Sequence, residues 1–167
     1  MCRFMTDALN RLRNLDCISV SIIDGPAVGG GAELTTATDF RVISEDAYIC
    51  FIHARRNLTP GWGGGSRLVS IVGRNKALRL LAAAEKIAPQ QALSMGLVDK
   101  ISSKESLAFE IENFVGPFLD TPLEVLRDNK HLVAGCNLKD DGEEDDVASL
   151  EEELFCRRFN SKPLNLP

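Results

Sequence analysis

Two glycine-rich turns hold the residues of this chain best suited to chemistry. Gly29, Gly30 and Gly31 lead into Ala32-Glu33-Leu34-Thr35-Thr36-Ala37, and Thr59-Pro60-Gly61-Trp62-Gly63-Gly64-Gly65-Ser66 leads into Arg67-Leu68-Val69-Ser70-Ile71-Val72. A glycine turn before a helix lets backbone approach a ligand closely, and amides at a helix start are unpaired donors. Such donors suit a phosphate, a carboxylate or a developing oxyanion. No lysine follows Gly31, as a Walker loop requires, and Leu34 stands where the dinucleotide fingerprint needs its last glycine. The readings that remain are an oxyanion hole and a tight turn that needs glycine only for packing.

Three side chains near these turns each have two readings. Glu33, in the first turn of a helix, complements the helix dipole, or it moves a proton beside the oxyanion donors. His53 is one of only two histidines and follows Ile49-Cys50-Phe51-Ile52 at a strand end. Histidine there is either a hydrogen bonder at the edge of the core or a proton donor, since imidazole titrates near neutrality. Trp62, among glycines, either anchors packing or lines a pocket.

The elements that must position these residues follow from periodicity. Phe4, Met5, Ala8, Leu9 and Leu12 recur at helical spacing over residues 1–14. The β-branched run from Cys17 to Ile23 reads as a buried strand ending at Asp24-Gly25-Pro26. Further strands are expected at Phe40–Ile43, Tyr48–Phe51 and Leu97–Ile101, with helices over Arg67–Val72, Lys76–Ala84 and Pro89–Ser94, where Pro89 suits a first turn. From Ser103 the pattern is helical, broken at Pro117 and Pro122. Alternating short strands and helices argue an α/β fold.

At 167 residues and 44% hydrophobic side chains, the chain can bury a single core. A net charge of −5 disfavours a nucleic-acid partner. The acidic stretch Asp140–Glu153 reads as a solvated face. Cys2, Cys17, Cys50, Cys136 and Cys156 are odd in number, with no zinc spacing, so reduced thiols are expected and no metal site. No apolar run approaches the ~20 residues of a membrane span, and the N-terminus lacks a signal-peptide core. Cytosol is the expected compartment.

Taken together, Gly25-Pro26-Ala27-Val28-Gly29-Gly30-Gly31-Ala32-Glu33-Leu34 with Asp39-Phe40-Arg41 resembles the signature of the enoyl-CoA hydratase/isomerase (crotonase) superfamily. The stretches Leu58–Leu68 and Ala92–Asp99 resemble the family's following segments in order and spacing, so the resemblance spans Ile18 to Ile101. It implies a crotonase-like ββα spiral core over residues 1–115, partial because the family begins with strands before this sequence starts, and a helical trimerisation region over 116–167. It implies Gly30 as oxyanion donor and Glu33 as the first catalytic glutamate. The family's second glutamate should fall at His53, a departure that disfavours hydration, which needs two acid/base groups.

Decarboxylation of a malonyl-type thioester, such as ethylmalonyl-CoA or methylmalonyl-CoA, requires only oxyanion binding, an oriented carboxylate and protonation of an enolate. Ala32–Ala37, His53 and Trp62 are each similar to the family's malonyl-type decarboxylases, and that resemblance implies an acyl-CoA carboxy-lyase with Gly30, Glu33 and His53 catalytic and Gly29, Pro60, Trp62 and Gly63 against the substrate. No cofactor is implied, coenzyme A being part of the substrate. A homotrimer or hexamer built through C-terminal helices, without nucleic acid or membrane, is the expected assembly. The family's preceding strands carry the partner oxyanion amide, so this chain alone is expected to be inactive or poorly folded. A hydratase or isomerase with an altered site, and a non-catalytic subunit of such an oligomer, are the alternatives.

Overall fold

The computed structural model describes residues 1–136 and 144–159. The chain divides into two compact units, Met1–Val115 and Gly116–Pro167. In the first, α1 (Cys2–Arg13) buries Leu9 and carries Arg11 and Arg13 in its last turn, where cations complement the carbonyl end of the helix. Then the chain coils. β1 (Val20–Ile23) and β2 (Pro26–Val28) lead to α2 (Gly30–Thr35). β3 (Phe40–Ser44) and β4 (Tyr48–Cys50) lead through a 3₁₀ turn (Ile52–Arg56) to α3 (Gly64–Val72) and α4 (Arg74–Ala83). The last coil comprises α5 (Pro89–Ser94), β5 (Lys100–Ser102) and α6 (Leu107–Leu119).

Successive strands alternate between two sheets. β1, β3 and β5 form a parallel sheet in that order, with Ile23 opposite Ile43 and Ser44 opposite Ser102. β2 and β4 form a second parallel pair, Val28 opposite Cys50, and Ile87 bridges antiparallel to Ile49. Each of the first two coils thus adds one strand to the first sheet and one to the second, and the last adds β5 to the first, which is a ββα spiral. Parallel strands covered by helices are buried on both faces, and Val42, Ile43 and Ile49 are fully buried. Ile43 and Ile49 pack with Phe51, Leu68, Leu97 and Val98 into one core; burying a side chain the size of Phe51 contributes about 2–3 kcal/mol.

Arg41 ties the first sheet to the end of the last coil. Its buried guanidinium donates to the carbonyls of Leu97 (2.8 Å) and Thr38 (2.8 Å), and its amide donates to Asp99 Oδ2 at 2.7 Å. Burial lowers the Arg41 pKa, with Asp99 and Asp39 opposing. Asp39 accepts both the amide and the hydroxyl of Ser19 at 2.7 Å, pinning the entry to β1.

Two expectations need correction, and one strand was not expected. β1 ends at Ile23, before Asp24-Gly25-Pro26, as expected, and Pro26 opens a strand of its own, β2. As a first residue its missing N–H leaves no ladder bond unmade. Leu97 and Val98 lie before β5, because their amides bond the Ala92 carbonyl (2.8 and 3.3 Å) and close α5 instead of joining the ladder. Pro117 does not break its helix; it lies inside α6, where it costs the hydrogen bond its nitrogen would donate to the Asn113 carbonyl without ending the helix.

The second unit contains α7 (Leu123–Cys136) and α8 (Glu144–Phe159). Glu151, Glu152 and Glu153 are exposed on α8, and residues 140–143 of the acidic stretch lie outside the described residues. Asp128 of α7 receives the guanidinium of Arg158, and Arg157 Nη1 stands 3.7 Å from its other oxygen. The Arg158 hydrogen bond, aided by the charges of Arg158 and Arg157, holds the Asp128 carboxyl below its ordinary 3.8, with burial opposing. Because the native pKa is depressed, this pairing stabilises α7 on α8 fully above about pH 4 and is lost as pH falls through the lowered value. Thermal midpoints of the wild type and Asp128→Asn measured against pH should differ at neutrality and converge in acid.

Among the described residues no helix is long and apolar enough to cross a membrane, and no cluster of metal-binding side chains occurs. Cys2, Cys17, Cys50 and Cys156 are thiols; the side chain of Cys136 lies outside the description.

Candidate active site

The two glycine-rich turns end up joined, and Glu33 joins them. Gly29 caps α2 and Gly63 caps α3. Glu33, in the first turn of α2, is 2% exposed and turns its carboxylate onto the start of α3. Oε2 accepts the amides of Trp62 (2.8 Å) and Gly64 (3.0 Å). Oε1 accepts the Gly61 amide at 3.2 Å and lies 3.0 Å from His53 Nε2. A Cβ on Gly64 would stand 2.5 Å from Glu33 Cγ, so glycine at 64 is what allows the carboxylate in. The second turn is an anion site, as its composition suggests, and its anion is a side chain of the same protein.

The first turn is different. The Gly29 amide donates to the Cys50 carbonyl at 2.9 Å. The Gly30 amide makes no hydrogen bond to the described residues. The indole of Trp62 rests directly on Gly30, where a Cβ would overlap its six-membered ring. Of the two glycine turns, one is closed internally and the other keeps an unused donor under an aromatic wall.

His53 lies in the 3₁₀ turn after β4, not at the strand end. That turn packs against the first glycine turn, Ile52 Cγ2 standing 3.5 Å from a Cβ built at Gly29. The imidazole is 12% exposed, and Nδ1 is buried without a hydrogen-bond partner. Pro60 is half-buried beside the second turn, and the Gly63 carbonyl accepts the Ser66 hydroxyl at 3.0 Å. The structure therefore brings Gly29, Gly30, Glu33, His53, Trp62 and Gly63 together. A surface cleft lined by Phe118, Leu123 and Leu126 in the second unit holds none of them.

Arg67 is the residue that sequence reasoning missed. It is 4% exposed and reaches across both turns, donating to Thr36 Oγ1 (3.0 Å), the Glu33 carbonyl (3.3 Å) and the Trp62 carbonyl (2.9 Å). Burial lowers its pKa, with the Glu33 charge opposing. Thr36 also donates to the Glu33 carbonyl at 2.6 Å. Such a back-bond competes with helix continuation, and α2 stops there. An arginine one residue after Ser66 in an amphipathic helix reads as a solvent-facing cation, and only its place within the Leu58–Leu68 stretch hinted otherwise.

The chain belongs to the enoyl-CoA hydratase/isomerase family, whose model matches residues 3–161. Its α/β spiral is the crotonase fold. Enoyl-CoA hydratase of Bacillus anthracis superposes with a TM-score of 0.90 at 22% identity, over 96% of this chain and 61% of that one. A Thermobifida fusca structure in complex with CoA superposes at 0.86 with 25% identity, over 93% and 59%. Among proteins of similar sequence, ethylmalonyl-CoA decarboxylase of Danio rerio is 44% identical over 162 residues, 95% of this chain and 51% of that protein. The Xenopus tropicalis protein of the same name is 40% identical over 158 residues, covering 93% and 52%. The chain spans about half the length of the curated relatives it matches.

Proposed function

We propose that this chain forms part of an acyl-CoA carboxy-lyase that decarboxylates ethylmalonyl-CoA and methylmalonyl-CoA, with Gly30 as an oxyanion donor and His53 as the proton donor. The observation that carries this reading is the pairing of an unused Gly30 amide with a histidine, half-buried and held by Glu33, where a hydratase would need a second carboxylate. The similarity to ethylmalonyl-CoA decarboxylases agrees with it. An amide aimed at the thioester oxygen stabilises the enolate left when CO2 departs, and one such donor is worth ~10²–10³ in rate. Gly29, Pro60, Trp62 and Gly63 would line the acyl end of the site, and Trp62 would keep water from the enolate. In the proposed enzyme the partner oxyanion donor comes from the strands the family places before the segment that α1 begins. The working assembly is a cytosolic homotrimer or hexamer built through the second unit's helices.

The test compares this chain alone with the same chain preceded by the corresponding strands of the Danio rerio relative. Release of CO2 from ethylmalonyl-CoA is followed beside hydration of crotonyl-CoA. The longer protein should decarboxylate, and His53→Ala should slow it by ~10²–10⁴, the usual contribution of a general acid. Hydration without decarboxylation would overturn the assignment in favour of a hydratase. A folded protein silent in both assays would leave a non-catalytic subunit.

A further inference from the structure

We propose that Glu33 is a positioning residue that carries no proton itself, and that it locks His53 in the Nε2–H form so that Nδ1 is the atom exchanging a proton with the substrate. The inference deepens the reading above and rests on it for the substrate. The geometry of Glu33 argues it directly. A carboxylate has about four acceptor positions on its two oxygens, and here four donors occupy them: the amides of Gly61, Trp62 and Gly64 and Nε2 of His53. Three of those donors are backbone, so they cannot swing away. A proton arriving on either oxygen would have to displace one of them, and each displaced donor would be left buried and unsatisfied. The family's first acid/base glutamate is, in this chain, the anion that closes the start of α3.

The same four contacts define the imidazole. An ionised carboxylate only accepts, so Nε2 facing Oε1 must carry hydrogen. The proton-exchanging atom is then Nδ1, which is buried and without a partner among the described residues. In the proposed step the bond between the carboxylate carbon and the α-carbon breaks. CO2 leaves, and the electron pair passes into the thioester as an enolate on oxygen. As the carbonyl re-forms, the α-carbon takes the Nδ1 proton of the His53 imidazolium, and the neutral imidazole left behind takes up one proton from bulk solvent, so each turnover consumes one proton. Glu33 stays ionised throughout, balancing the imidazolium before the transfer.

The tautomer can be read without substrate. The chain has two histidines, His53 and His131, so long-range ¹H–¹⁵N spectra of the uniformly labelled protein give two imidazole patterns, and His131→Gln assigns them. Neutral His53 should show the Nε2–H pattern. In Glu33→Gln the carboxamide oxygen should stay with the Trp62 and Gly64 amides, the two shorter backbone bonds to one oxygen. Its NH₂ would then face His53 and convert it to the Nδ1–H form, a change that loss of a merely structural contact would not impose. An Nδ1–H pattern in the wild type overturns the proposal, and so does an unchanged tautomer in folded Glu33→Gln. If Glu33→Gln does not fold, as collapse of its amide dispersion would reveal, the wild-type tautomer decides alone. An Nε2–H tautomer in a protein that proves not to be a decarboxylase would sink the function and leave the positioning role intact.

Discussion

Gly30→Ala is expected to damage fold and chemistry together. The new methyl overlaps the Trp62 ring, whose Cε3 would lie 3.2 Å away with two other ring atoms nearer still. The indole has little room to retreat, since the Trp62 amide is bonded to Glu33 and its carbonyl to Arg67. Overpacking of this kind costs about 1–3 kcal/mol. Trp62 is the sole tryptophan, so its fluorescence reports its own displacement. Truncating it as well, in Gly30→Ala/Trp62→Ala, should remove most of the clash, and the double-mutant cycle should show a coupling of about 1–3 kcal/mol. Decarboxylation by the longer protein should fall ~10²–10³-fold in Gly30→Ala through the shifted amide. The double variant should regain stability without regaining that rate, because the aromatic wall is gone. Additive stabilities in the cycle would show that indole and glycine are not in contact.

Arg67→Met should be the most destabilising single substitution in the first unit outside its apolar core. The guanidinium bonds two carbonyls and a hydroxyl in a site from which water is excluded. Hydrogen bonds made by a charged donor contribute about 1.5–3 kcal/mol each, and an acceptor stripped of its partner retains its desolvation cost. The Glu33 carbonyl keeps the Thr36 hydroxyl and amide, so the loss falls mainly on the Trp62 carbonyl and Thr36. Allowing for that, about 2–4 kcal/mol should be lost, read from denaturant midpoints. Arg67→Lys should recover less than half, because a single ammonium cannot span acceptors on two different turns. A loss below ~0.5 kcal/mol, the level of an ordinary surface substitution, would mean that the bridge is not formed in solution.

How much of this was legible in the sequence follows from how far each interaction reaches along the chain. α5 was read to its ends because Pro89 marks a first turn locally. The two helix starts were visible because glycine turns are local too. β2 was not visible. Its three residues make a strand only beside β4, and the sole local cue, Pro26, argues against one. Glu33 was singled out, but its role depends on amides 28 to 31 positions away, and no spacing announces those. A carboxylate in a first helical turn looks the same whether it serves its own helix or the start of another. Arg67 was hidden for a related reason: buried and solvated arginines have the same neighbours in a linear reading and differ only in what folds over them.

The alternation of strands between two sheets has a consequence for how the molecule comes apart. A spiral whose coils touch chiefly their neighbours behaves like a one-dimensional stack, with stability divided between each coil and the interfaces joining it to the next. Glu33 belongs to the first coil, while His53 and the amides of Gly61, Trp62 and Gly64 belong to the second. The candidate site is therefore a seam and not a pocket carved into one element. Its carboxylate is a cross-tie, and whatever unstacks those two coils takes the candidate site apart before either coil has lost its own hydrogen bonds.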